Sequence, residues 1–352
     1  MAEPTPAMAT VVAASETTST VSSVAVVVLN WNGKADTLAC LASLRLVSPA
    51  TPRIIVVDNG SVDDSVLAIR QAFPNVDLLP TGENLGFAEG NNVGIRHARS
   101  LGASHVLLLN NDTEVAPDLI EQLLAAHARH PQAGIIGPKT YYHADPKRIW
   151  WAGGRWDEAG QCFAQIGDGE IDQGQRDHEV ATEFIVGSAM FVPSEVLEQV
   201  GLLDSRYFLN YEEIDLCTRV QRAGYSLVYA PQARIWHKVS ASFGAEESPL
   251  KVYYTFRNRL LWARENLTWS RRLKIMRRMA AIVWNRLGRP LFQWRVLASR
   301  GLKPFFWQAR DAFTSPINRA ILCGIRDHAR RRFGPCPPDV MALHQRWKAA
   351  RD

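Results

Sequence analysis

VAVVVLNWNGKADTLACLASLRLVSPATPRIIVVDNGS, residues Val24 to Ser61, reads as strand, helix, strand. The β-branched run Val24–Leu29 has the length and composition of a buried strand, Lys34–Leu46 that of an amphipathic helix, and Ile54–Val57 repeats the strand signal. The alternation continues downstream. Val62–Phe73 predicts a helix with Ser61 as its N-cap, and Val76–Leu79 a third strand. Gly86–Ser100, His105–Leu109 and Pro117–Arg129 follow as helix, strand and helix, the last with proline in its first turn. Such a chain builds a mainly parallel α/β sheet flanked by helices, in which ligands gather beyond the carboxyl ends of the strands. Polar residues fall there three times: Asn30, Trp31 and Asn32; Asp58, Asn59, Gly60 and Ser61; Asn110, Asn111 and Asp112.

Several stretches carry chemistry. LLLNNDTEV (Leu107–Val115) releases Asp112 at a strand end. One such Asp suits a hard cation, Mg²⁺ or Mn²⁺, that fills its other positions from substrate phosphates; an ordinary polar turn is the plainer reading. In YFLNYEEIDLCTRVQRAGY (Tyr207–Tyr225), Glu212, Glu213 and Asp215 crowd a helix start that Gly224 terminates. Their repulsion raises at least one pKa and makes a better base, unless the charge only complements the helix dipole. His237, in RIWHKVSASFG (Arg234–Gly244), is a metal or phosphate ligand if the fold sets it beside Asp112, and an ordinary histidine if not. Asp58, in VVDNGSVDDS (Val56–Ser65), either accepts from a base or ribose or merely caps a turn. In NLGFAEGNNVGI (Asn84–Ile95), Gly86, Gly90 and Gly94 permit close backbone approach, to a ligand or to another element. The absence of G-x-G-x-x-G there argues against a dinucleotide fold.

Composition narrows the class. The chain has 352 residues, 47% hydrophobic and 21% charged, which excludes disordered and collagen-like proteins. The formal charge of +5 hides an asymmetry: residues 1–250 hold 17 Lys and Arg against 30 Asp and Glu, and residues 251–352 hold 23 against 5. Five cysteines without C-x-x-C spacing suggest neither a disulfide framework nor a zinc ribbon and fit a reducing cytoplasmic compartment. The stretch from Lys139 to Glu183, rich in Gly, Trp, Asp and Gln, reads as a variable insertion over the site. Arg271–Arg310 mixes Arg with Trp, Phe, Leu and Ile at helical spacings. That pattern suits a helix at an anionic membrane surface, or a helical subdomain packed on the body. No nucleic-acid module accompanies the charge, so no nucleic-acid partner is expected.

In order, VVVLNWNG, VVDNGS, NLGFAEGNNVGI, LLLNNDTEV, GSAMFVPSEVLEQVGLLDSRYF, YEEIDLCTRVQRAGY and WHKVSAS resemble the family-2 glycosyltransferases of GT-A fold, especially bacterial rhamnosyltransferase-like members, over about Val24–Gly244. The resemblance implies inverting transfer of a sugar from a nucleotide diphosphate donor to an acceptor hydroxyl. dTDP-rhamnose is the first expected donor and a UDP-sugar the second. The implied acceptor is a saccharide or polyprenyl-diphosphate-linked saccharide of cell-surface polysaccharide synthesis, met at the inner face of the cell membrane. Asp58 matches the family's base-contacting Asp; Asn30, Asn84, Gly86, Asn110 and Asn111 fall among its nucleotide-binding positions. Asp112 matches the last acid of the Asp-x-Asp motif, whose first acid is Asn110 here, so Mg²⁺ or Mn²⁺ would rest on Asp112, His237 and the diphosphate. The family's Glu-Asp pair looks like Glu212 and Glu213, which makes Glu213 the general base, Glu212 its rival and Asp215 a supporting acid.

The organisation expected is a disordered leader at 1–23, a GT-A domain at 24–249 and a basic amphipathic helical region at 250–352. Lys251, Tyr253, Tyr254, Arg257 and Asn258 (in KVYYTFRN) are expected to meet the acceptor or its diphosphate. A non-catalytic module binding a nucleotide sugar or glycan is the alternative on the same fold. A processive synthase would show Q-x-x-R-W and membrane helices, and a glycoside hydrolase would set its carboxylates about 5 to 9.5 Å apart across the scissile bond.

Overall fold

The computed structural model describes residues 23–49, 51–239, 247–288, 310 and 312–351. All of the expected leader except Ser23, residues 240–246, and 289–309 of the basic tail lie outside the described residues. The first half follows the expected alternation: β1 (Val24–Asn30), α1 (Lys34–Leu44), β2 (Arg53–Asp58), α2 (Ser65–Ala72), β3 (Asp77–Pro80), α3 (Gly86–Ser100) and β4 (His105–Asn110). There follow β5 (Thr113–Val115), α4 (Leu119–Arg129), β6 (Ala133–Tyr142), β7 (Asp145–Trp151), β8 (Gly154–Asp157), β9 (Cys162–Gln165), β10 (Val180–Ala181), β11 (Ala189–Pro193), α5 (Ser194–Val200), α6 (Glu212–Arg222) and β12 (Ser226–His237). Helices α7 (Pro249–Asn266), α8 (Trp269–Val283), α9 (Pro316–Ala329) and α10 (Pro338–Ala349) complete the described chain.

Among the described residues the main sheet runs β10-β12-β6-β11-β4-β1-β2-β3, with β5 paired to β12 and β7 to β6. Strands β4, β1, β2 and β3 are parallel, as are β6 and β12, while β11 lies antiparallel between β4 and β6. Helices cover both faces, so the strands are apolar throughout and do not alternate. Val24, Val26 and Val28 point to one core with Leu41 of α1, Ile69 of α2 and Leu123 of α4. Ala25 and Val27 point to the other with Ile95 of α3 and Leu216 of α6. Leu261, Trp262 and Ala263 of α7 and Ile275 and Met279 of α8 join that second core, so it runs on past residue 249.

Three expectations change. Helix α2 begins at Ser65 behind Asp64, not behind Ser61, because the Ser61 hydroxyl is taken by the Asn32 N–H (2.9 Å) and the Asn30 side chain (3.1 Å). Helix α4 begins at Leu119, with Pro117 ahead of its N-cap Asp118. The stretch 139–183 is not a loose insertion, since it holds the end of β6 and β7 to β10. Lys139 is 1% exposed and pairs with Asp172 (2.9 Å) and with Asp177, and Trp151 is fully buried against Tyr229 of β12.

Candidate active site

Parallel pairing brings the strand ends together. The β1 register sets Asn30 beside Asp58 and Leu29 beside Asn110. Asn30 donates from Nδ2 to Asp58 Oδ1 (2.7 Å) and accepts at Oδ1 from the Thr37 hydroxyl (2.7 Å) and the Gly33 N–H (3.2 Å). Asp58 Oδ2 accepts from the Ser61 N–H at 3.1 Å. Both side chains are buried, so they form the floor that shapes the loops after β1 and β2. Asn111 donates to Thr37 Oγ1 (2.9 Å) and joins the same network. Asn59 links two loops, donating to Gly86 O (3.1 Å) and Asn84 Oδ1 (3.2 Å) and accepting from the Leu85 N–H (2.9 Å).

Above this floor lies a cavity of ≈ 340 Å³. Its polar side is Asn59, Asn84, Asn110, Asn111 and Asp112, with Gly86 at the start of α3. Apolar walls come from Trp31, Phe87, Phe208, Leu209, Leu250 and Tyr254, and Pro335, Cys336 and Met341 close it from the C-terminal segment. Asn30 and Asp58 lie beneath the lining and do not enter it.

His237 reaches this edge through β12. Its pairing with Thr113 of β5 is followed by the Lys238 N–H donating to Asp112 O at 2.9 Å. His237 Nε2 and Asp112 Oδ1 stand 3.1 Å apart without hydrogen-bond geometry, and Asp112 Oδ1 and His237 Nδ1 have no hydrogen-bond partner among the described residues. An imidazole and a carboxylate converging this way can act as two ligands of one cation. No group of three or more His, Cys, Asp or Glu among the described residues could hold a metal ion. A divalent ion therefore fits only if substrate oxygens fill its other positions, which suits Mg²⁺ and Mn²⁺.

The glutamates open α6. Glu212 is 4% exposed, and Glu212 Oε2 and Glu213 Oε2 are buried without a hydrogen-bond partner among the described residues. Burial raises the Glu212 carboxyl well above the usual range, and the charge of Glu213 pushes it further. Burial also raises Glu213, while N–H groups of its own residue, Ile214 and Tyr211 hold it back. Two such carboxyls favour sharing one proton. A Cβ built on Gly187 would lie 3.7 Å from Glu213 Cβ and 3.7 Å from Phe87 of the cavity wall. Gly187 leads into Ser188, whose carbonyl accepts from the Asn110 N–H at 2.9 Å. Glu213 and Asp112 thus occupy the same edge of the sheet.

Asp215 does not join the two glutamates. Its carboxylate is taken by Arg219 (2.7 Å), the Tyr207 hydroxyl (3.2 Å) and Asn266 (2.8 Å), which fasten α6 to α7. In KVYYTFRN, Tyr253, Tyr254, Arg257 and Asn258 are at most 1% exposed, so they are structural; of these four only Tyr254 lines the cavity. The loop before α6 holds Phe208, Asn210 and Tyr211 at φ of 63°, 68° and 78°, left-handed conformations that cost non-glycine residues on the order of 1–3 kcal/mol each.

The family model described as glycosyl transferase family 2 matches residues 23–198. An N-acetylglucosaminyl-diphospho-decaprenol L-rhamnosyltransferase of Mycobacterium tuberculosis is 31% identical over 223 residues, 58% of this chain and 73% of that one. The dTDP-rhamnosyl transferase RfbF of Shigella flexneri is 24% identical over 229 residues, 60% of this chain and 71% of that one. Among solved structures, mannosyltransferase PcManGT from Pyrobaculum calidifontis, in complex with GDP-Man and Mn²⁺, superposes with a TM-score of 0.53 at 16% identity over 88% of this chain and 87% of that one. GalNAc-T7 with UDP, GalNAc and Mn²⁺ gives a TM-score of 0.54 at 15% identity, covering 70% of this chain and 52%, about half, of that one. These likenesses identify the fold as GT-A.

Proposed function

The chain belongs to glycosyl transferase family 2, and from that premise we propose that it moves L-rhamnose from dTDP-rhamnose, with inversion, to a hydroxyl of a polyprenyl-diphosphate-linked saccharide in cell-surface polysaccharide synthesis. The activities named for the Mycobacterium tuberculosis and Shigella flexneri relatives support this donor and acceptor class. The observation that carries the catalytic reading is the pair of buried, partnerless oxygens Glu212 Oε2 and Glu213 Oε2, with Glu213 and Phe87 of the cavity wall both packed around Gly187. A module that only binds a sugar has no use for two partnerless carboxyl oxygens.

Glu213 accepts the proton of the acceptor hydroxyl as that oxygen attacks the anomeric carbon and the bond from that carbon to the donor diphosphate breaks. Asp112 and His237 would hold the divalent cation, Mn²⁺ or Mg²⁺, and such an ion would supply Lewis-acid neutralisation of the leaving diphosphate, worth several kcal/mol. Asn59, Asn84, Asn110 and Asn111 hydrogen-bond the nucleotide over the floor set by Asn30 and Asp58. Inversion needs no enzyme nucleophile.

The lipid-linked acceptor brings the enzyme to an anionic membrane surface by peripheral attachment. Helix α8 supports this: it buries Ile275 and Met279 and exposes Arg271, Lys274, Arg277 and Arg278, with Trp269, Met276 and Trp284 also exposed. No helix among the described residues is long and apolar enough to cross a membrane. Flotation with phosphatidylglycerol liposomes at low salt should carry the protein upward; a protein that stays at the bottom rejects this attachment. For the transfer itself, dTDP-rhamnose and UDP-sugars are compared with a polyprenyl-diphosphate-linked N-acetylglucosamine acceptor, with Mn²⁺, Mg²⁺ or EDTA. Metal-dependent product from dTDP-rhamnose is expected, and product from UDP-sugars alone rejects the donor assignment.

A further inference from the structure

Arg257 is fully buried, yet among the described residues it forms no ion pair with a carboxylate. Its guanidinium instead lies 4.8 Å from the centre of the Tyr254 ring and donates to three carbonyls, Tyr207 O (2.8 Å), Gly334 O (2.6 Å) and Arg206 O (3.3 Å). Arg257 Nε donates to Asn258 Oδ1 at 2.9 Å, which turns Asn258 Nδ2 toward the same Tyr207 carbonyl (2.9 Å) and two more, Leu209 (2.8 Å) and Asn210 (2.7 Å). A buried cation is costly unless its donors are engaged, and here two of them reach Arg206 O and Tyr207 O while Nε orients Asn258 toward the same segment.

That segment, 206–211, contains the three left-handed residues and runs directly into Glu212. Phe208 O accepts from the Phe87 N–H at 2.6 Å, tying the segment to the start of α3, while Phe208 and Leu209 line the cavity. Gly334 returns the link by donating its N–H to Arg206 O at 3.0 Å, one residue before Pro335 of the cavity's C-terminal wall.

We propose that Arg257 and Asn258 are positioning residues that lock the strained segment 206–211 so that Glu212 and Glu213 meet the donor cavity, and that dock the wall beginning at Pro335 onto the same segment. The backbone there would relax toward ordinary φ without its four carbonyls, of Arg206, Tyr207, Leu209 and Asn210, being held at once, and the glutamates would turn with it. The inference rests on Glu213 as general base.

The test uses the full chain with Asn258→Asp, which keeps shape and volume but removes the amide donors, and Arg257→Lys, which keeps the charge but loses the fork. Three quantities are read: kcat and its pH profile with dTDP-rhamnose, affinity for dTDP with Mn²⁺ by calorimetry, and hydrogen exchange of the peptide spanning 205–212. In Asn258→Asp, kcat should fall about 100-fold, as expected for a misplaced base. Affinity for dTDP should stay within about threefold, because the groups that touch the nucleotide are unchanged. The acid limb should move to lower pH as water reaches the glutamates, exchange at 205–212 should rise, and Arg257→Lys should be intermediate. Wild-type kcat with unchanged exchange overturns the proposal, as does a loss of kcat and dTDP affinity in equal proportion with no movement of the acid limb. If Asn258→Asp does not fold, Arg257→Lys reads the same three quantities. If Glu212→Gln and Glu213→Gln both keep full turnover, the base assignment fails, and exchange at 205–212 still decides the lock.

Discussion

Gly86→Ala, compared with Gly82→Ala, measures how tightly the cavity edge is built. Both glycines have φ of +80°, but a Cβ on Gly82 meets nothing within 4 Å, whereas one on Gly86 would stand 2.5 Å from Phe208 Cδ2 and 2.6 Å from Phe208 O. Gly82→Ala therefore isolates the left-handed penalty, about 1–2 kcal/mol. Gly86→Ala adds an overpacking cost of about 1–3 kcal/mol, because the obstacle includes backbone that the 206–211 segment holds in place. At about 2–4 °C per kcal/mol, Gly82→Ala should lower Tm by about 2–8 °C and Gly86→Ala by about 4–20 °C. Displacement of Phe208 also disturbs the approach to Glu212, so Gly86→Ala should lower kcat at least tenfold while Gly82→Ala leaves it near wild type. Differential scanning calorimetry and a steady-state transfer assay read both effects. Equal Tm losses with equal kcat would refute the close contact between Gly86 and Phe208.

Other predictions follow the same logic. Because burial raises both glutamates, kcat should fall with decreasing pH along a limb above the ordinary carboxylate range, about 4.3; a limb at or below that value contradicts the burial of the pair. A carboxyl raised in the folded state loses stability as pH rises from the unfolded value through the folded one. Glu212→Gln should therefore stabilise the protein at pH 8 and have much less effect at pH 4, as urea titrations at the two pH values will show; an equal effect at both would contradict the raised carboxyl. Asp112→Asn should abolish the Mn²⁺-dependent gain in dTDP affinity measured by calorimetry and lower kcat about 1,000-fold; an unchanged Mn²⁺ response removes Asp112 from the metal site. Lys139→Met leaves Asp172 and Asp177 facing each other without their cation and should cost about 3 kcal/mol of stability with kcat retained, a loss visible in thermal unfolding.

The half of the fold that alternates at short range was readable from residue order. Strand ends at Asn30, Asp58 and Asn110 could be placed because each apolar run stops where a polar group begins, and parallel pairing then makes the ends coincide. The rest depended on long-range pairing. Nothing in RIWHKVSASFG reveals that β12 pairs with β5 and so brings His237 to Asp112; that is decided by a strand more than a hundred residues away. Strands β7 to β10 were masked by Gly- and Trp-rich sequence that carries no clear period, and nothing around Lys139 signals that its two aspartates come from 172 and 177. Buried Arg257 and Asn258 read as groups that meet the acceptor, because composition cannot distinguish a side chain that meets a ligand from one that meets backbone carbonyls. Asn59 stood in a loop already singled out, whereas Pro335, Cys336 and Met341 carry no local signal for a cavity wall.

The most direct measurement is transfer by Glu213→Gln with donor binding followed in parallel. Removing a general base should lower kcat by about 100- to 10,000-fold. Affinity for dTDP-rhamnose with Mn²⁺ should stay within about threefold, since Asp112, His237 and the asparagine-lined cavity are intact. Wild-type turnover in this variant, or the loss of donor binding together with turnover, contradicts a site in which one glutamate takes the acceptor's proton while the metal-bound diphosphate departs.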